Sequence, residues 1–335
     1  MPFSHSPFIL GTRGSELALT QARLTEAALR ATGFTGAVVI RIIQTIGDKR
    51  PDLKLAEFSQ TGGQDGAPLL DKGIFTKELE EALLRQEIHA AVHSLKDVPT
   101  EIAPAFALAA TLPRAPIEDV LITHTPCPGG LRDLPQGATV ATSSVRRARQ
   151  ARWLRPDLTI VDIRGNVPTR LRKLAETPKW QGLLLARAGL ERLGFLARDA
   201  AADQAPLMGT PHDLHVHTLD PTDFLPAAGQ GAIAIECRSD DAATRGVLER
   251  ICDWPTYHRV MAERAFLARL GAGCQTPVGM WTTLTHDRIT LQARVFDETD
   301  PQATPREGSH TGPDASPALL AEALHQTLFP DAQSH

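Results

Sequence analysis

Three short segments hold most of the side chains that could do chemistry: Thr12-Arg13-Gly14-Ser15, Ser94-Leu95-Lys96-Asp97 and Thr142-Ser143-Ser144-Val145-Arg146-Arg147. Each follows an apolar run that reads as a strand, and in open α/β sheets ligands bind beyond the carboxyl ends of the strands. In the first and third segments a hydroxyl and a helix start lie beside arginines. Helix-start N–H groups together with Arg make a receptor for carboxylate or phosphate. The plainer alternative is that Ser15 and Ser143 are only caps and the arginines a solvated face. Arg164-Gly165-Asn166 and Arg170 add cations after a further strand. Lys96-Asp97, next to His93 and Ser94, suits general acid/base work. It equally suits an ion pair holding the turn before Pro99, and spacing does not decide between the two. Cys274 lies in Gly271-Ala272-Gly273-Cys274-Gln275-Thr276-Pro277, a glycine-rich loop from which a thiol can reach a ligand. Cys127, Cys237 and Cys252 read as small hydrophobes or surface thiols. No two cysteines form a C-x-x-C pair, so neither a zinc site nor a thioredoxin-type motif is signalled. His212, His215 and His217 share one short segment without a catalytic carboxylate pattern. They read as a solvated loop, and no metal is expected.

The elements that must position these groups alternate between short strands and amphipathic helices, which argues for an α/β protein. Phe8-Ile9-Leu10 reads as a strand. Ser15 caps a helix that ends at Gly33. Val38 to Ile43 is a second strand, and residues 47–71 read as a long polar loop. Thr76 to Arg85 is helical and Ile88 to Val92 alternates like a strand. Pro113 and Pro116 suggest a hinge into a second domain. Val140-Ala141-Thr142, Leu158 to Ile163, Leu183-Leu184-Leu185 and Ala232 to Glu236 read as strands. Residues 199–225 read as a polar surface excursion. A helix over Tyr257 to Arg269, strands near 280–296 and a helix over Ala318 to Leu328 complete the chain.

At 335 residues the chain is too long for one ordinary core, so two or three domains are expected. The 35 Lys and Arg divide into 7 Lys and 28 Arg, yet the net charge is −4. Arg grips carboxylates bidentately where Lys is a looser point charge, so small poly-carboxylate ligands are a weak expectation. The arginines of 146–155 and 164–173 could suggest nucleic acid. The overall charge is wrong for that, and Tyr257 is the only tyrosine, so a base-stacking platform is poorly supported. No segment has the length of a membrane span, and the N-terminus has no signal-peptide pattern. A reducing cytoplasm is the expected compartment.

Taken together, the segments resemble the hydroxymethylbilane synthase (porphobilinogen deaminase) family. The matching stretches are LGTRGSELALTQA (10–22), FTKELEEALL (75–84), AVHSLKDVPT (91–100), ATSSVRRARQ (141–150), RGNVPTRLRKL (164–174), LARAGLERLG (185–194), PAAGQGAIAIECR (226–238) and AERAFLARLGAGCQTPVG (262–279). They occur in family order across nearly the whole chain.

The resemblance implies three α/β domains, the first two similar to type II periplasmic binding protein domains with the active site in the cleft between them. Projected here they are 1–112 plus 232–249, 118–225, and a small α+β domain over 254–335. It implies a transferase of porphyrin and heme biosynthesis that joins four porphobilinogen molecules head to tail, each losing ammonia, before water releases hydroxymethylbilane. It also implies a dipyrromethane cofactor held by a thioether to Cys274, a monomer, and no nucleic-acid or membrane partner. Loss of ammonia gives an electron-poor azafulvene, which the free α-carbon of the terminal pyrrole attacks. A carboxylate would stabilise the positive charge that develops on pyrrole nitrogen, and Asp97 matches the family's catalytic aspartate. Each pyrrole carries an acetate and a propionate, which would repel one another if left unpaired. Arg13, Arg146, Arg147, Arg164, Arg170 and Arg192 match the family's carboxylate-binding arginines. Ser15, Lys96, Thr142, Ser143, Ser144 and Gly165 match its supporting positions, and Phe75 an aromatic near the substrate. Gln21 and Gln230 match motif positions too.

Two stretches depart from the family pattern. Lys72-Gly73-Ile74-Phe75 keeps the end of the glycine-rich stretch after the mobile loop, but the glycine pair is displaced and the loop lengthened. Residues 199–225 are longer than in many relatives. The main rival is a non-catalytic binder of a small anion, which would have no use for Cys274 or Asp97. Cys274→Ser is expected to abolish or impair covalent cofactor attachment, read as loss of the dipyrromethane increment from the intact mass.

Overall fold

A computed structural model describes residues 3, 6–49, 75–197, 203–210, 213–271 and 276–330. The chain opens with β1 (Phe8–Thr12), α1 (Glu16–Ala31), β2 (Val38–Ile42), α2 (Ile46–Lys49), α3 (Lys77–Leu84), β3 (Ala90–Ser94) and β4 (Phe106–Thr111). It continues with β5 (Asp119–Thr123), β6 (Thr139–Ala141), α4 (Val145–Leu154), β7 (Thr159–Val161), α5 (Val167–Ala175), β8 (Gly182–Ala186), α6 (Arg187–Arg192), β9 (Asp203–Pro206) and β10 (His215–Thr218). Then follow β11 (Ile233–Arg238), α7 (Ala242–Leu248), α8 (Trp254–Arg269), β12 (Val278–Thr285), β13 (Arg288–Val295), β14 (Arg306–Pro313) and α9 (Pro317–Leu328).

Two compact units result, Met1–Arg114 with Ala232–Val260, and Ala115–Gly231 with Met261–His335. The first is built on a sheet of order β2-β1-β3-β11-β4. β1 runs parallel to β2 and β3, and β11 runs antiparallel to β3 and β4. Phe8, Leu10, Val92, Ile233 and Ile235 face Leu29 of α1, while Leu79 and Leu83 of α3 cover Ala91 on the other face. This double cover brings the ends of β1 and β3, with their polar residues, side by side.

The second unit holds a six-stranded sheet of order β7-β6-β8-β5-β10-β9. The run Leu183-Leu184-Leu185 is apolar throughout because β8 is buried on both faces: Leu183 and Leu185 pack into one core and Leu184 into the other. The antiparallel sheet β12-β13-β14 is separate and has its own core, where Phe266 of α8, Met280, Leu291 and Leu324 of α9 meet.

The surface excursion expected over 199–225 is a different thing in the structure. It supplies β9 and β10, and β10 pairs antiparallel with β5 from His215↔Thr123 to Thr218↔Val120. Leu214 and Val216 are buried and alternate with His215, so the segment has a strand's period beneath its polar composition. β14 is likewise a strand that the reading of 280–296 did not reach. Of the long loop at 47–71, residues 47–49 close α2; the rest, the displaced glycine pair and Lys72-Gly73-Ile74 lie outside the described residues, as does His212.

Gly231 precedes β11 with φ +83°, and a β-carbon there would stand 2.4 Å from the Ala115 carbonyl oxygen. Left-handed backbone and contact with main chain both exclude a side chain. Gly231→Ala is therefore expected to cost about 2 kcal/mol or more, measured by denaturant unfolding.

Candidate active site

In the first unit, one pocket is lined by Arg13, Ser15, Gln21, Phe75, Thr76, His93, Ser94 and Asp97, among others. Arg13 follows β1, and its guanidinium carbon lies 3.9 Å from the centre of the Phe75 ring, a cation–π contact that fixes the charge at the pocket wall. Ser15 is the N-cap of α1: its hydroxyl accepts from the Ala18 N–H at 3.3 Å. Gln21, buried one turn further along, donates through Nε2 to the Ser94 hydroxyl at 2.8 Å, and Ser94 donates back to the side-chain Oε1 of Gln21 at 3.2 Å. Lys96 and Asp97 lie in a single 3-10 turn, Leu95–Asp97, directly after β3, and both are half-buried. Behind Ser94, the Nε2 of buried His93 lies 3.0 Å from Oε2 of buried Glu236 on β11. Glu80 of α3 stands over this pair. Burial first, and then the Glu236 charge, push the Glu80 carboxyl up, against the hydrogen bond from Thr76 and the influence of His93.

In the second unit the Thr142–Arg147 segment forms the turn from β6 into α4. Ser144 caps the helix, accepting from the Arg147 N–H at 3.4 Å. The Thr142 hydroxyl accepts from the Ser144 N–H at 3.2 Å, and the Ser143 hydroxyl donates to the Ile163 carbonyl. Of the two serines, Ser144 caps and Ser143 ties the turn to β7's end.

Arg146 and Arg147 are buried, at 5% and 6% exposure, and turn to a carboxylate of their own chain. Arg146 donates to Asp119 at 2.6 Å, and Arg147 donates through Nε and Nη2 at 3.0 and 2.8 Å. Gln230 adds a bond to the same carboxylate at 2.9 Å. Burial alone would push Asp119 up; the Arg146 and Arg147 charges, and then their hydrogen bonds, hold it well below the usual carboxylate range. Arg146 Nε is buried with no hydrogen-bond partner among the described residues.

Arg164 pairs with Asp162 at 3.1 Å, and Asn166 caps α5 with Pro168 in its first turn. Arg170 donates to the Gly165 carbonyl at 2.7 Å, and Lys173 to the Arg164 carbonyl at 3.0 Å. Gly165 has φ +114°, which lets the chain turn into α5. Arg192, at the end of α6, donates to the Gly231 carbonyl at 2.6 Å.

Cys274 lies outside the described residues. The other three thiols are free and their chemistry is suppressed by burial. Burial, the largest cause in each case, pushes Cys127 and Cys252 up and Cys237 up to about 12. Thiolate is the reactive form, so none of the three suits a nucleophile's role. Among the described residues no group of three or more His, Cys, Asp or Glu could hold a metal ion.

Sequence reasoning missed Asp119 and Glu236. Glu236 sits between Ile235 and Cys237, and Asp119 opens the apolar run Val120-Leu121-Ile122; a carboxylate in or at the head of such a run was the available signal.

The family model described as "Porphobilinogen deaminase, dipyromethane cofactor binding domain" matches residues 8–246, and "Porphobilinogen deaminase, C-terminal domain" matches 257–329. The porphobilinogen deaminase of Syntrophobacter fumaroxidans is 42% identical over 85% of this chain and 83% of its own length. That of Paracoccus denitrificans is 40% identical over 98% of this chain and 95% of its own. Among solved structures, the VFT2 domain of Bordetella pertussis BvgS is similar with a TM-score of 0.40 and 14% identity, covering 74% of this chain and 87% of that one. Together with the α/β sheets and the pocket, the family models define a transferase built around a dipyrromethane cofactor. The chain belongs to the porphobilinogen deaminase family, which polymerises porphobilinogen into hydroxymethylbilane in tetrapyrrole biosynthesis.

The donor set fits such a cofactor. A dipyrromethane presents carboxylates, which a guanidinium such as Arg13 and a helix start such as that at Ser15 can receive, and pyrrole N–H groups, which a carboxylate such as Asp97 in the same pocket can accept.

Replacing Asp119 by Asn would leave Arg146 and Arg147 buried without a counter-charge. The expected loss is about 3–5 kcal/mol, read by denaturant unfolding. Because the folded carboxyl is held low, its stabilisation is complete above the unfolded range near pH ~4 and is lost as pH falls toward the folded value. Acid unfolding curves of the wild type should show that slope below pH ~4, and Asp119→Asn should flatten it.

Proposed function

We propose that Asp97 is the catalytic carboxylate of this enzyme and that Cys274 carries the dipyrromethane as a thioether. The observation that supports it most is the pocket in which Asp97 lies with Arg13, Ser15 and Phe75. When bound, the cofactor supplies the free pyrrole α-carbon on which the chain is built. Asp97 stands where it can accept a pyrrole N–H and stabilise the positive charge that grows on that nitrogen as ammonia leaves porphobilinogen. The carboxylate is worth most in the charged transition state and little in the ground state, so it serves turnover more than binding. One such group serves every addition.

Arg13, Arg164, Arg170 and Arg192, with Lys96, Ser15, Thr142, Ser143, Ser144 and Gly165, receive the acetate and propionate groups. Arg146 and Arg147 enter this reading as buried charges already balanced by Asp119. The reading includes the three-domain division at 1–112 plus 232–249, 118–225 and 254–335. It also includes a monomer at work in the cytoplasm without nucleic-acid or membrane partners. The free thiols Cys127, Cys237 and Cys252 support a reducing compartment. No described helix is long and apolar enough to cross a membrane.

Asp97→Asn is expected to keep the dipyrromethane increment in the intact mass while kcat falls by about 10²-fold or more and KM changes little. Steady-state kinetics on the mass-verified holo-protein checks this, and near-native kcat would remove Asp97 from its role.

A further inference from the structure

We propose that His93, held by Glu236, is a second proton-handling group of this pocket, the acceptor of the α-proton that each pyrrole loses when it is joined. The proposal rests on the porphobilinogen-joining reading and adds a residue to it. His93 lines the same pocket as Asp97, Arg13 and Ser94. It is 5% exposed, and its Nε2 is 3.0 Å from Oε2 of Glu236, itself 1% exposed. With Nε2–H donating to that carboxylate, the neutral ring keeps its lone pair on Nδ1. A buried carboxylate that fixes the tautomer of an imidazole and balances the imidazolium formed later is the arrangement by which an imidazole becomes an oriented base.

The strand register makes the pair. His93 lies opposite Ala234 and Ala91 opposite Glu236, so His93 and Glu236 are diagonal neighbours on one face of the β3–β11 ladder. The other oxygen, Glu236 Oε1, is buried with no hydrogen-bond partner among the described residues. A pair that served packing alone would gain nothing from that orphaned acceptor. The charged and titratable groups around His93 are Glu236 on β11, Glu80 on α3, and Asp97 and Arg13 along the pocket. Burial, and then the charge of Glu236, push the Glu80 carboxyl up.

The reaction needs this acceptor. When the new carbon–carbon bond forms, the α C–H bond of the terminal pyrrole must break, and its electron pair stays in the ring. The proton passes to His93 Nδ1, and from the imidazolium to the ammonia released in the same addition, which departs as ammonium. Each cycle then returns His93 to its neutral form, with one ammonia lost per porphobilinogen.

Two readouts test this. In ¹⁵N-histidine spectra of the holo-protein, assigned by comparison with His93→Gln, neutral His93 is expected to carry its proton on Nε2; a proton on Nδ1 would overturn the proposal. In kinetics, a mass-verified holo His93→Gln is expected to lose about 10²-fold in kcat with KM little changed, and to show a larger isotope effect with porphobilinogen deuterated at its free α-position. Glu236→Gln should lose kcat in the same direction by a smaller factor. It decides the kinetic test if His93→Gln fails to load its cofactor. Unchanged kcat and isotope effect in a loaded variant, or a change in KM alone, would overturn the role of His93. A wild-type protein that acquired no dipyrromethane mass from porphobilinogen would instead overturn the functional reading on which this one stands.

Discussion

Asp119 begins β5 with no solvent exposure and accepts from Arg146, Arg147 and Gln230, side chains 27, 28 and 111 residues away. A buried carboxylate costs several kcal/mol in lost hydration, and two buried guanidiniums add their own cost. They can be buried only together. The same arginines donate onward to the Leu225 and Leu184 carbonyls, so the start of α4, the middle of β8 and the Leu225 segment are drawn to one point. The positions of Ser143 and Ser144, two and one residues before α4, follow from where Arg146 and Arg147 are held.

The first unit meets its constraint with strand ends. β1 and β3 are parallel neighbours and stop at Thr12 and Ser94, so Arg13 and the Leu95–Asp97 turn emerge on the same side of the sheet. The bond between Gln21 and Ser94 ties the helix after β1 to the end of β3. Asp97 is therefore carried on a turn anchored where it leaves β3, with Leu95 buried and its N–H donating to the Ala232 carbonyl. A short turn held in this way keeps the position of its carboxylate fixed.

Burial also sorts the ionisable groups. The three described thiols are pushed away from reactivity, whereas the pocket keeps a guanidinium, a carboxylate, an imidazole and hydroxyls at one wall. This combination suits a substrate that brings carboxylates, N–H groups and a departing amine to the same place.

The sequence by itself determined what is local. Ser15, Ser144 and Asn166 cap helices whose N–H groups are three residues away, and such bonds follow from side-chain type and spacing. The order of the motifs was legible in the same way, and it identified the family. Tertiary structure decided the partners. The lining up of Arg146 and Arg147 with Asp119, and of His93 with Glu236, depends on strand register and on contacts across 27 to 143 residues, which no local spacing encodes. The same holds for β9 and β10: their polar composition reads as loop until β5 offers β10 an edge and β10 offers one to β9, because a strand's backbone hydrogen bonds are completed by its neighbour and not by its own residues.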